Sequence, residues 1–146
     1  MKSTKAKKTP SKTKVIRQKA AIPASPEEVF DAYMDSRVHA EFTGGGKATV
    51  SRKVGGTMTA WDGYISGKNL ELVRGKRILQ EWITTDWLKD DPVSILDLRL
   101  SKKGNGTELT MIHSEVPARL ASSLAKGWKD YYWKLLKRYF QERNKK

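Results

Sequence analysis

The sequence predicts an α+β fold in which a curved antiparallel sheet of about seven strands is closed by a long C-terminal helix, in the order β-α-β6-α. Three observations carry that expectation. Apolar residues repeat at helical spacing just after Pro26, at a period of two between positions 47 and 116, and at helical spacing again after Pro117.

Taken in order, positions 15–22 alternate in polarity and read as a first strand. Ser25 is a helix N-cap, Pro26 suits the first helical position, and Glu27 and Glu28 favour the positive end of the helix dipole. Val29, Phe30, Tyr33 and Met34 form the apolar face of this helix, which ends before Gly44-Gly45-Gly46. Turn signals at Gly55-Gly56, Asp62-Gly63, Arg74-Gly75-Lys76, Asp90-Asp91-Pro92 and Lys102-Lys103-Gly104-Asn105-Gly106 then cut the middle of the chain into six strands. Leu96, Leu98 and Leu100 share a buried face with Leu109, Met111 and His113, while Arg99, Glu108 and Thr110 lie opposite. After Pro117, at 100° per residue, Leu120, Leu124, Trp128, Tyr131, Tyr132, Leu135, Leu136 and Tyr139 fall within an arc of roughly 160°. Trp133 and Phe140 fall outside it, either covering the edge of the core or standing out as contact residues.

Charge is distributed unevenly along the 146 residues, whose formal net charge is +13. Positions 15–116 balance, whereas six lysines and no acid lie between positions 2 and 14, and nine bases face two acids after position 116. Positions 1–14 carry too little apolar surface to order themselves and are expected to be a disordered lysine-rich tail, with 15–146 a single domain. The tail serves solubility and permits, without specifying, contact with nucleic acid. With no cysteine, disulfides, thiolate chemistry and Cys-ligated metals are excluded. No apolar run marks a signal peptide or a membrane span, so the expected location is cytoplasmic, with no membrane partner.

A bent sheet under one helix encloses space, and the residues expected to line it are Met58, Trp82, Leu98, Met111, His113, Leu124, Trp128 and Tyr132. Catalytic chemistry finds little support. His39 and His113 are the only histidines, Gly46-Lys47-Ala48 fails the phosphate-loop pattern, and Glu27, Glu28 and Asp31 are explained by a helix start. The chain is therefore expected to be non-enzymatic, without cofactor or metal. Most of its aromatics are wanted by the core, which disfavours single-strand nucleic-acid binding.

The segment Pro23-Ala24-Ser25-Pro26-Glu27-Glu28-Val29-Phe30-Asp31-Ala32-Tyr33 resembles the opening of the helix-grip superfamily of SRPBCC and START-like domains, which includes the birch-pollen allergen and polyketide cyclases. Phe42-Thr43-Gly44, Asp62-Gly63-Tyr64-Ile65-Ser66-Gly67, Glu81-Trp82, Thr107-Glu108-Leu109, Val116-Pro117 and Gly127-Trp128-Lys129-Asp130-Tyr131-Tyr132-Trp133 together resemble the C-terminal domain of activators of heat-shock protein 90 ATPase. That resemblance implies a helix-grip fold and a co-chaperone that docks on the chaperone. In the family's eukaryotic members a separate N-terminal domain does much of the stimulation of ATP hydrolysis, and the lysine-rich tail stands in its place here. Docking is thus expected through the outer face of the closing helix, with Lys129, Lys134 and Lys137 steering and Trp133 and Phe140 as aromatic contacts. The alternative is a carrier or sensor of an apolar small molecule held between sheet and helix.

Overall fold

A computed structural model describes residues 12–145. The lysine-rich positions 1–11, on which most of the expected tail falls, lie outside the described residues. The remainder of that expectation is corrected, because the first strand, β1 (Thr13–Ile22), begins at Thr13. Thr13 pairs with Pro117 and Lys14 with Val116, so the length of the partner strand draws these two residues into the sheet.

Helix α1 (Pro26–Met34) starts as the sequence requires. Ser25 Oγ accepts from the Glu28 amide at 3.1 Å, and the Ser25 amide donates to Glu28 Oε1 at 3.0 Å, which closes a capping box. The helical stretch before the glycines is two helices rather than one. Asp35 is extended and its carboxylate accepts from the Val38 amide at 2.9 Å, capping α2 (Ser36–Thr43). The break lets α1 lie on the sheet while α2 turns to meet the C-terminal helix.

Six strands follow: β2 (Thr49–Val50), β3 (Thr57–Ala60), β4 (Ile65–Val73), β5 (Arg77–Thr84), β6 (Ser94–Lys103) and β7 (Gly106–Pro117). All seven strands form one antiparallel sheet in the order β1-β7-β6-β5-β4-β3-β2. The first strand thus pairs with the last, and the helices cover the inner face. Leu96, Leu98, Leu100, Leu109, Met111 and His113 are buried on that face, as their alternation demands.

The closing helix carries the main departure from a regular pattern. It runs as α3 (Ala118–Trp128), a π turn (Lys129–Trp133) and α4 (Lys134–Asn144). A π turn holds one extra residue, so each position after it takes the phase its predecessor would have had in a regular helix. Phe140 therefore occupies the direction expected for Tyr139. Both Trp133 and Phe140 are buried, at 4% and 5% exposure, whereas Tyr131, placed by the regular arc on the core face, is 58% exposed. The alternative in which Trp133 and Phe140 stand out from the surface is corrected accordingly. Gln18 of β1 supports the irregularity: its Nε2 donates to the Ala125 carbonyl at 2.8 Å, and its Oε1 accepts from Trp133 Nε1 at 3.0 Å.

Candidate functional site

A cavity of about 260 Å³ opens between strands β4 and β5 and the junction of α3 with the π turn. Trp82, Leu124, Trp128 and Tyr132 line it as the sequence predicts, and Trp61, Tyr64, Ile65, Ser123, Gly127 and Tyr131 complete the wall. The other four predicted residues lie elsewhere. Met58 borders a second depression on β3–β5. Leu98 and Met111 are fully buried on β6 and β7, the strands on which α1 packs, and His113 is sealed beneath the rings of Trp82 and Trp128. Period-two alternation places all of these side chains on one face of the sheet. It does not say which of them the helices cover.

The mouth is built from residues whose conformation the strand pattern conceals. Trp61 and Asp62 both have positive φ, 55° and 57°, so the chain leaves β3 through a left-handed turn and the Trp61 ring departs from the alternation of Met58 and Ala60. Positive φ is costly for a bulky residue and is sustained only by its surroundings. Here the Gly44-Gly45-Gly46 segment supplies them. Gly45 lies against the Trp61 indole, and Asp62 Oδ1 accepts from the Lys47 amide at 2.8 Å. Across the mouth, Trp61 meets Tyr131 edge-on at 5.7 Å between ring centroids.

Deeper in, the polar groups are almost all committed. His113 Nδ1 accepts from Trp128 Nε1 at 3.1 Å, which places the ring proton on Nε2, 2.9 Å from Ser94 Oγ; that hydroxyl in turn donates to the Trp82 carbonyl. Burial drives the His113 pKa down to about 3, so the ring stays neutral at ordinary pH. His39 is held in the same manner between the Tyr33 carbonyl and the Tyr132 hydroxyl, each 2.8 Å away, and burial lowers its pKa too. Neither histidine has a ring nitrogen left for acid–base work. Tyr33 extends the network by donating to Gln80 Oε1 at 3.0 Å, and Gln80 donates to Asn69 Oδ1 at 2.8 Å. Burial raises the pKa of Tyr132 well above its usual value. Tyr64 donates to Asp86 Oδ2 at 2.6 Å. One group stands apart: Trp82, only 2% exposed, has an indole N–H with no partner, the single such buried side-chain atom among the described residues.

Outside the cavity, Lys129, Lys134 and Lys137 are exposed on the closing helix, as are Lys126 and Arg138. Asp130 is bonded to both Lys126 and Lys134, so its carboxylate offsets part of that positive charge and its own pKa is lowered. Trp133 and Phe140 are absent from this face because the π turn rotates them inward. Among the described residues no three acidic or histidine side chains gather to hold a metal ion, and no helix is long and apolar enough to cross a membrane.

Comparison with known proteins agrees with this architecture. The chain is 30% identical over 147 aligned positions to the human activator of 90 kDa heat shock protein ATPase homolog 1, an alignment covering 93% of this chain and 43% of the human protein. It spans less than half the length of that relative. A crystal structure described as an HSP90 activator from Plasmodium falciparum superposes with a TM-score of 0.72 at 25% identity, covering 82% of this chain and 89% of the other. The solution structure of the Aha1 dimer from Colwellia psychrerythraea shares the fold, with a TM-score of 0.71 at 17% identity over 84% of this chain and 92% of the other. The family model described as activator of Hsp90 ATPase homolog 1-like protein matches residues 23–141, and the chain belongs to that family within the helix-grip fold.

Proposed function

We propose that the protein is a non-enzymatic docking module that engages an acidic surface on a chaperone of the heat-shock protein 90 type. The observation that supports this most directly is the 30% identity to a curated activator across 93% of the chain. The closing helix adds a physical basis, because its exposed lysines form a positive face that would steer an acidic partner. Exposed Tyr131, at the cavity mouth, replaces Trp133 as the aromatic able to anchor the contact.

Titration of the purified chaperone with the wild type, with a Lys129→Glu/Lys137→Glu variant and with Tyr131→Ala tests this. Charge reversal should weaken binding about tenfold or more at low salt and progressively less as salt screens the field. Equal affinities for all three proteins would refute the proposal.

The cavity favours a second reading, carriage of an apolar small molecule between sheet and helix. In that reading the aromatic wall supplies the affinity and the protein needs no catalytic group.

A further inference from the structure

We propose that the edge of the fold formed by β1 and the closing helix is a sequence-independent binding surface for B-form duplex DNA, holding the phosphates on both sides of a major groove. The proposal goes beyond the chaperone contact and shares with it only Lys129 and Lys137.

The closing helix lies along β1 from end to end. β1 is an edge strand, paired with β7 alone. Before its first residue the Lys12 carbonyl accepts from the Ala118 amide at 2.9 Å. At its middle Gln18 meets the Ala125 carbonyl and the Trp133 indole, and past its end the Pro23 carbonyl accepts from Asn144 Nδ2 at 3.0 Å. Strand and helix thus run side by side for roughly 30 Å. Gln18 points inward, so Arg17 and Lys19, its neighbours in the alternation, project from the outer face of the sheet, and both are exposed. Lys129 comes one turn after Ala125 and Lys137 one turn after Trp133, which places both exposed lysines on the helix flank that meets β1. The thickness of a helix, about 10–12 Å, separates the two rows.

The charge on this edge is unspent. Arg37, Arg52, Arg74, Arg77, Arg99 and Arg119 each meet a carboxylate, and Asp130 takes up Lys126 and Lys134. Arg17, Lys19, Lys129 and Lys137 form no ion pair among the described residues, and β1 itself contains no acid.

What accompanies the charge selects the partner. A protein contact is anchored by large apolar or aromatic side chains, and a single strand of nucleic acid needs exposed rings on which its bases stack. The one large exposed hydrophobic residue on β1 is Val15, and the exposed aromatic of the helix, Tyr131, meets Trp61, which follows β3 at the far end of the sheet. Two parallel rows of cations without such an anchor match a phosphate backbone, whose counterions they displace. Their separation fits the major groove of B-form DNA, about 12 Å wide, better than the narrow, deep major groove of duplex RNA.

The test titrates the full chain into a fluorescent DNA duplex of about 20 base pairs and mixed sequence, read by anisotropy between 50 and 200 mM salt. Arg17→Glu/Lys19→Glu should weaken binding at least tenfold at 50 mM salt and reduce the slope of log K against log salt by about two. Lys53→Glu/Lys68→Glu, an equal change in net charge at exposed positions towards the other end of the sheet, should cost less than threefold. Equal losses in the two variants, or no loss in the first, would overturn the proposal. Amide NMR of the wild type needs no variant: shifts induced by the duplex should fall on residues 14–21 and 122–141. Shifts confined to residues 1–11, or no binding at all, would overturn it as well. So would tighter binding, at matched charge, of duplex RNA, oligothymidylate, polyglutamate or phosphatidylserine vesicles, each of which would assign the edge to a different partner.

Discussion

Acidification should destabilise this protein between pH 6.5 and about 4.5 through its buried histidines. His113 is fully buried, with both ring nitrogens bonded in the neutral state, and its pKa is lowered from an ordinary 6.5 to about 3. Below pH 6.5 the unfolded chain takes up a proton that the folded chain refuses. The stability contributed by the neutral ring is therefore complete above pH 6.5 and falls as pH drops, by up to about 1.4 kcal/mol per pH unit, until the folded-state pKa is reached. At pH 4.5 the loss from His113 amounts to about 2–3 kcal/mol, a large share of the ~5–15 kcal/mol typical of a domain. His39, lowered by the same cause, adds a loss of the same sign. Asp31 and Asp97, whose arginine partners hold their pKa values below 3.8, lose stability only at lower pH and leave this window to the histidines. Urea unfolding at pH 7.5, 6.5, 5.5 and 4.5, compared between wild type and His113→Gln, isolates the effect, because the variant should lose about one proton's worth of slope. A flat stability profile, or an NMR titration of His113 with a midpoint above pH 5, would refute the reasoning.

Other substitutions probe the packing. Trp133→Ala should cost about 3–5 kcal/mol, as for other large buried rings, while Tyr131→Ala should stay within about 0.5 kcal/mol; a regular helix would reverse this ranking, and thermal melts of the two variants distinguish the cases. Gln18→Ala leaves the buried Trp133 indole N–H without its acceptor and should destabilise by about 1–3 kcal/mol, with faster amide exchange across 125–133. Gly67→Ala would place a Cβ 2.0 Å from the Glu81 carbonyl oxygen, a backbone atom with nowhere to go, so strands β4 and β5 must separate locally and the melting temperature should fall by several degrees.

What could be read in the sequence followed from how local each determinant is. The N-cap at Ser25, the six central strands and the shared face of Leu96, Leu98, Leu109 and Met111 depend on short-range periodicity and turn chemistry, and the structure has them all. The site was only half legible. Trp82 and Trp128 follow from alternation and helical spacing, but Trp61 reaches the cavity through a left-handed turn that Gly45 and the Lys47 amide hold from a distant segment. The phase of the closing helix was lost for the same reason, since the bond partner that supports the π turn, Gln18, lies more than a hundred residues away. That His113 is sealed beneath Trp82 and Trp128 instead of opening to the cavity depends on which helix covers which strand, and that is a tertiary fact.

The π turn also admits a direct test of what its extra residue does. Deleting Tyr131 would let residues 118–144 form an uninterrupted α-helix in which Tyr132, Trp133, Leu136 and Phe140 keep their present inward phase, because each would then sit where a regular helix puts it. The fold should therefore survive, with Trp133 still buried by its fluorescence and with a melting temperature within a few degrees of wild type. The cavity should not fare so well, because its mouth is formed by Tyr131 against Trp61 and the deletion removes one side of it. A variant that folds but no longer holds an apolar aromatic probe that the wild type binds would assign the extra residue to the site rather than to stability. A variant that unfolds, or that exposes Trp133, would show that the π turn is required by the packing of the helix on the sheet and that the cavity is only its by-product.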